Sequence, residues 1–206
     1  YQMYHLDFAL PGLIQYNVQD QSTESFSAFL QTYAKLSDRL KLSAGVRYTK
    51  DKINARSTLN TGLGSQALTS TLWDTFDVVF PGSLDVGGKK SWSNVGWKVG
   101  LDYEIGANKL IYASWARGFK SGGFTGRIGV AADGNAPYNP EKVDTVEMGL
   151  KADFFDRRLR TNFSAFYTNY RDMQVALIYF DAATNVQGNR ILNAAKSTIK
   201  GFEMEV

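Results

Sequence analysis

The chain has 206 residues with 23 Lys plus Arg against 20 Asp plus Glu, a net charge of +3, and no cysteine. So balanced a charge argues against nucleic acid as a partner, and the lack of thiols excludes a disulfide scaffold or a thiolate metal site. No apolar run is long enough for a transmembrane helix, which leaves membrane β-strands open, because alternating strands average to the hydropathy of a soluble protein.

Residues 1–8 look like one end of a strand, and residues 9–21, with Pro11, Gly12 and Asn17, predict a loop. Residues 22–36 predict a strand with Phe26, Ala28, Leu30, Ala34 and Leu36 on one face and Ser25, Ser27, Gln31, Tyr33 and Lys35 on the other. Ser37, Asp38 and Arg39 turn the chain. Residues 40–57 answer with Leu42, Ala44, Val46 and Tyr48 opposite Lys41, Ser43, Gly45, Arg47 and Thr49. Residues 58–90 hold no sustained period and predict a long loop, within which residues 73–80 suit a short strand or an internal plug of that loop. The cleanest alternation follows over residues 92–105: Val95, Trp97, Val99, Leu101, Tyr103 and Ile105 against Asn94, Gly96, Lys98, Gly100, Asp102 and Glu104. Gly106, Ala107 and Asn108 form a turn. Residues 109–120 predict a strand whose sides cannot be assigned, since both faces are apolar or aromatic, and residues 121–140 predict a Gly-rich loop.

Residues 141–172 predict a β-hairpin around Asp156-Arg157. Its first arm sets Val146, Met148, Leu150, Ala152 and Phe154 against Thr145, Glu147, Gly149, Lys151 and Asp153. Its second sets Leu159, Thr161, Phe163, Ala165 and Tyr167 against Arg158, Arg160, Asn162 and Ser164. Residues 176–192 predict a further loop, and residues 196–206 a last strand with Phe202, Met204 and Val206 against Gly201, Glu203 and Glu205.

Strand length and connection length set the fold class. A soluble strand averages about five to six residues, whereas a membrane barrel strand needs about nine to eleven, and these arms meet the second requirement. Short turns alternate with long connections, so all short turns fall at one end of an antiparallel meander, the asymmetry of outer-membrane barrels with their short periplasmic turns and long extracellular loops. The expected fold is therefore all-β: an antiparallel, up-and-down transmembrane β-barrel segment. Val95, Trp97, Val99, Leu101, Tyr103, Val146, Met148, Leu150 and Phe163 are expected to face lipid. Lys98, Asp102, Glu104, Glu147, Lys151, Arg160, Glu203 and Glu205 are expected to face a lumen, because a wall charged with both signs is ruinous in a closed apolar core and natural against water or a polar plug. A lumen that wide needs many more strands than the roughly eight visible here.

Several stretches resemble TonB-dependent outer-membrane receptors. They are YASWARGFKSGGF from Tyr112, NPEKVDTVEMGLK from Asn139, DRRLR from Asp156 with FYTNYRD from Phe166, SDRLKLSAGVRY from Ser37, and KGFE from Lys200. The resemblance implies a barrel of the 22-stranded type closed by an N-terminal plug. It implies uptake of a scarce nutrient, most often a ferric siderophore, energised by the inner-membrane proton gradient through the TonB complex. Outer-membrane lipid, the TonB complex (through the plug region) and a ferric chelate are its expected partners, in the outer membrane of a Gram-negative bacterium. On this reading residues 1–206 are part of the barrel domain, without the plug or the C-terminal strands, an internal piece of a longer chain.

No enzyme and no cofactor site is expected. Gly62-Leu-Gly-Ser-Gln-Ala67 matches a dinucleotide fingerprint, but it follows no apolar strand and opens no helix. His5 is the single histidine and has no clustered ligands, so no metal site is expected. The carboxylate pairs Asp102/Glu104 and Glu203/Glu205 extend a charged stripe rather than an acid–base site. Arg117, Lys120, Arg127 and Tyr138 surround the Gly-rich loop and suit capture of an anionic chelate, while contact with lipopolysaccharide phosphates or pairing with Asp133 and Glu141 accounts for the cations equally well. Two other classes stay open: a passive porin-like or structural outer-membrane barrel, and a soluble β-sandwich that binds glycans.

Overall fold

The computed structural model describes residues 2–10, 13–63, 78–79, 84–126, 128, 133–134, 136–182 and 186–206. Its strands in chain order are β1 (Gln2–Leu10), β2 (Leu13–Lys35), β3 (Leu40–Leu63), β4 (Val78–Val79), β5 (Leu84–Gly106), β6 (Lys109–Lys120), β7 (Gly123–Phe124), β8 (Pro137–Tyr138), β9 (Glu141–Phe154), β10 (Leu159–Asp181) and β11 (Val186–Glu205). Eight of them form one antiparallel meander, β1-β2-β3-β5-β6-β9-β10-β11, with β4 added beside β3 and a small β7–β8 hairpin apart.

The three predicted turns all lie at one end. Residues 36–39, 107–108 and 155–158 make them, with Asn108, Phe155, Asp156 and Arg157 at positive φ. The other end differs from expectation. The expected loops at residues 9–21 and 176–192 are largely strand, and so are the described ends of the one at residues 58–90: β2 pairs with β1 from Leu13 onward, β3 and β5 stay paired to Leu59↔Leu84, and β10 and β11 to Asp181↔Val186. Alternation fades there because the two faces are alike, polar on β3 and apolar over residues 175–180 of β10, while backbone pairing, which no side-chain pattern reports, continues. Among the described residues the two ends thus differ in strand length as well. Strands β2, β3, β5 and β10 run 23–24 residues, about twice what a bilayer needs.

Register then assigns every face. Leu42, Leu101, Ala113, Met148, Ala165 and Phe202 are successive cross-strand partners, and so are Ala44, Val99, Trp115 and Val146. One continuous apolar surface therefore crosses the sheet, and it resolves β6: Ile111, Ala113 and Trp115 belong to it, while Tyr112, Ser114 and Ala116 lie opposite. These apolar side chains stay open, with Val99 at 43%, Trp115 at 53% and Phe202 at 77% exposure, so this face is not packed into a core. Trp97 and Trp115 meet edge to face at 4.7 Å, and Phe163 stacks near Phe202 at 6.4 Å, contacts made within that surface.

A small core does exist, at the long-stranded end on the opposite face. Ile53, Ala55, Trp92 and Phe124 form it, where the segment after β6 folds back onto β3 and β5. Strands β6 and β9 are only 12 and 14 residues long, so they stop short of their neighbours and leave a notch in the sheet. The described residues between 121 and 140 lie across that notch. Asn17 Nδ2 donates to Ile128 O at 3.2 Å on one side, and the Ile191 amide to Thr125 Oγ1 at 3.1 Å on the other. Asp133, fully buried, accepts from the Tyr179 hydroxyl at 2.8 Å and the Asn189 amide at 3.1 Å. The glycines of this strap answer close contact: a Cβ at Gly122 would lie 2.4 Å from Tyr138 O and 2.6 Å from the Trp92 ring.

Candidate functional site

All eight charged residues singled out in the sequence share the face opposite the apolar surface. Glu147 is the partner of Ser114, Lys151 of Leu110 and Asn162, Glu203 of Ser164, and Glu205 of Asn162, while Lys98, Asp102 and Glu104 alternate with the apolar side of β5. This face also carries the hollows. A trough of about 880 Å³ is lined by Arg47, Lys98, Asp102, Tyr112 and Glu147, and a second of about 610 Å³ by Lys41, Glu104, Lys151, Arg160 and Glu205.

The charges are knitted across strands. Lys41 Nζ reaches Glu104 Oε1 at 2.7 Å, Arg160 Nε reaches Asp153 Oδ1 at 2.9 Å, and Asn162 Nδ2 reaches Glu205 Oε2 at 3.4 Å. Tyr112 donates to Glu147 Oε1 at 2.8 Å while the Lys151 ammonium sits 5.4 Å from its ring. Exposed pairs of this kind stabilise by only about 0–1 kcal/mol each. Their effect is to hold both signs of charge at fixed places along one face of the sheet. No group of three or more metal-ligating side chains occurs among the described residues.

Of the four residues expected at the mouth, Lys120 and Arg117 lie on opposite faces of β6. Lys120 ends β6 opposite Glu141, exposed, on the charged side. Tyr138 lies in β8 against Gly123, and burial pushes its phenol up from the usual tyrosine value. Arg127 falls outside the described residues, as do residues 73–77 of the long connection and residues 64–67 of the glycine motif. Arg117 points the other way. It is the register partner of Trp97, its guanidinium lies 5.8 Å from that ring, and its Nε donates to Asp144 Oδ1 at 2.7 Å. Arg171 engages the second carboxylate oxygen of the same Asp144. Counting alternation from Ile111 would have put Arg117 on this side, since residues 111, 113, 115 and 117 share one face of a strand.

Beyond the apolar surface the long strands carry ion pairs of their own. The Arg56 guanidinium beside Asp85, with Nε to Oδ1 at 2.8 Å, holds the Asp85 carboxyl below the usual carboxylate range. Burial, with the Asp133 carboxyl as hydrogen-bond partner, pushes the Tyr179 phenol up. Neither Asp133 nor Asp144 could be singled out by spacing. Each is a lone acid whose partners come from β10 and β11 or from β6, far away in the chain.

Comparison with known proteins agrees with this architecture. Residues 2–206 match the family described as TonB dependent receptor-like, beta-barrel. Among solved structures, the ferric yersiniabactin uptake receptor of Yersinia pestis superposes with a TM-score of 0.71 at 20% identity, covering 98% of this chain and 27% of that one. The hemophore receptor of Serratia marcescens, solved with its hemophore and heme, gives 0.64 at 11% identity, with 98% and 38% covered. The ferric-catecholate import receptor of E. coli K12, in its closed form, gives 0.56 at 18% identity, with 94% and 26% covered. The chain thus spans between about a quarter and two fifths of the length of these receptors. A β-sandwich is set aside by the single meander with its open apolar surface. This chain belongs to the TonB-dependent receptor-like β-barrel family and is part of the barrel of a Gram-negative outer-membrane receptor.

Proposed function

We propose that the chain supplies a stretch of wall to an importer of a ferric siderophore or similar chelate, driven through the TonB complex acting on a plug domain. On this reading the apolar surface meets hydrocarbon, and Lys98, Asp102, Glu104, Glu147, Lys151, Arg160, Glu203 and Glu205 line the lumen around the plug. The observation that carries it is the segregation of charge: one face of the sheet holds these ions and two hollows, while the central rows of the other, from β3 to β10, hold only apolar and aromatic side chains. A charged wall in fixed cross-strand pairs suits a lumen that a polar plug must slide or unfold within. The relatives named above are receptors for ferric yersiniabactin, ferric catecholates and a hemophore with heme, which supports an iron-bearing cargo. At the mouth, Lys120 on the charged side and Tyr138 in the strap are the residues proposed to approach the ligand, with Arg127 between them in sequence. Arg117 is not counted among them, because it is already engaged on the other face.

The test is growth under iron limitation of a strain that depends on the full-length receptor, supplied in turn with ferric catecholates, hydroxamates, carboxylates and heme. Growth on one class that disappears when the TonB complex is deleted is the expected result. Indifference to every chelate removes iron from the reading, and uptake that persists without the TonB complex replaces an importer by a passive pore.

A further inference from the structure

At the long-stranded end β5 runs on to Leu84 and β10 to Asp181, while β6 stops at Lys120 and β9 at Glu141. The edges of β5 and β10 therefore face each other across three strand spacings, about 14 Å, the room of two strands. No strand among the described residues pairs with either edge there. The edge of β10 is the apolar one. On the gap side the Gln174 amide donates to Glu141 Oε2 at 3.0 Å. The amides of Asn189 and Ile191, register partners of Ile178 and Ala176, turn away from β10 to Asp133 and Thr125. Amides in an antiparallel ladder alternate between its two sides, so those of Ala176, Ile178 and Phe180 point into the gap, with no backbone partner among the described residues. They belong to the run Val175-Ala-Leu-Ile-Tyr-Phe180, which has no charge, proline or glycine. Tyr179 meets Asp133 on the charged side, so Val175 and Leu177 are exposed on that side, and Ile178 and Phe180 on the other.

We infer that this edge is a docking site for an extended, apolar stretch of a secreted polypeptide, which adds to the sheet as a strand beside β10. An unpaired edge is a template for another strand, and natural sheets blunt such edges with charge, proline, a bulge or a cover. Residues 175–180 carry neither charge nor proline. The described strap residues nearest the gap are engaged elsewhere: Tyr138 pairs with Gly123, and Asn139 is held by Asn193. Nor is the chain's own sequence suited to the place. Residues 131–140, which lead into β9, include Pro137 and Pro140, which have no amide to give a ladder, and Asp133, Gly134, Asn135 and Asn139, types that strands disfavour. The occupant is therefore another molecule. It is a polypeptide, because the edge offers alternating main-chain donors and acceptors, and apolar, because the side chains on both faces of that edge are. It arrives from outside the cell, since the long-stranded end of such a barrel is the extracellular one. The inference rests on the membrane placement of the barrel and not on which nutrient it carries.

The full-length receptor in detergent is titrated with a short fluorescent peptide of valine and threonine, N-methylated at every second amide so that one edge alone can pair. Residue-resolved amide exchange is followed in the same samples. In the free receptor Ala176, Ile178 and Phe180 are expected to exchange faster than Leu177 and Tyr179, whose amides face β11. At ten times its Kd the peptide should slow those three by about tenfold and leave the other two unchanged. The same peptide methylated at every amide should bind at least about tenfold more weakly, having lost its ladder bonds. Ile178→Pro takes one donor from the gap and none from the β10–β11 ladder, and should weaken binding about tenfold, while Ile178→Val binds as the parent does. Slow exchange of the three amides before any peptide is added would show the receptor's own chain on that edge and overturn the inference. Failure of the singly edged peptide to bind, equal binding of the fully methylated one, protection elsewhere in the receptor, or an unchanged Ile178→Pro would each overturn it too.

Discussion

At the scale of single residues, consecutive neighbours along a strand lie on opposite faces of the sheet. Lys98 and Val99 are consecutive, yet one lines the larger hollow and the other sits in the open apolar surface. An arginine placed on the apolar side at mid-depth should destabilise the inserted barrel by about 2–4 kcal/mol. Removing a charge from a wet wall should change stability by no more than about 0.5 kcal/mol. Val99→Arg and Lys98→Ala, compared by urea unfolding of the full receptor in lipid vesicles, are therefore expected to differ by several-fold in cost. Equal costs would mean that the two faces have been assigned to the wrong media. Arg117 shows where reading single residues fails. As a lone cation before a Gly-rich segment it suits a ligand mouth, and only its partner across the sheet, Trp97, reveals that its side chain departs on the other side.

Whole strands were legible wherever one face was apolar and the other polar, as on β9 and the lower half of β5. They were illegible where that contrast fails. On β6, Leu110, Ala116 and Phe119 blur the alternation, so the strand could be bounded but not oriented until pairing with β5 and β9 fixed it. In the extensions of β2, β3, β10 and β11 the two faces do not contrast, being polar on both sides in β3 and apolar on both sides over residues 175–180 of β10, so strand looks like loop. Three strand glycines serve contact. Tyr112 lies over Gly149, Tyr179 over Gly188 and Phe166 over Gly201, each ring on its direct cross-strand partner. The aromatic ring covers the glycine and flattens the inner wall, as in aromatic rescue of strand glycines. The sites differ in what a methyl group would strike. At Gly149 it would lie 2.5 Å from the Tyr112 ring and 2.6 Å from the Phe163 carbonyl, which is backbone and cannot yield; at Gly201 it meets only the Phe166 ring, at 3.1 Å. Gly149→Ala is expected to cost about 1–3 kcal/mol through overpacking, and Gly201→Ala less than about 1 kcal/mol. Unfolding of both variants in vesicles checks the order, and a Gly201→Ala cost as large as that of Gly149→Ala would refute the contact argument.

For the molecule as a whole, the two short strands pose a structural problem that the strap answers. With β6 and β9 ending early between β5 and β10, the wall beyond the membrane would have a gap, and Thr125, Ile128 and Asp133 of the strap are tied across it to Ile191 on β11, Asn17 on β2 and Asn189 on β11. This was the part of the fold least visible in the sequence, because its anchors are scattered single polar residues and its small core, Trp92 on Phe124 at 6.2 Å, joins segments with no shared pattern. The anchoring is not evenly spread. Asp133 alone satisfies both the Tyr179 hydroxyl and the Asn189 amide, and it is fully buried. Asp133→Ala strands those two donors, and an unsatisfied buried partner costs about 1–3 kcal/mol, so amide exchange at Asn189 should rise by about 10- to 100-fold. Asp133→Asn keeps an acceptor oxygen and should fall between the parent and the alanine variant. If the strap closes the gap, cells carrying the alanine variant should also admit bulky antibiotics such as vancomycin more readily. Unchanged exchange at Asn189 would show that the strap is held by its glycine-packed contacts with Trp92 and Tyr138, with Asp133 contributing nothing to its hold.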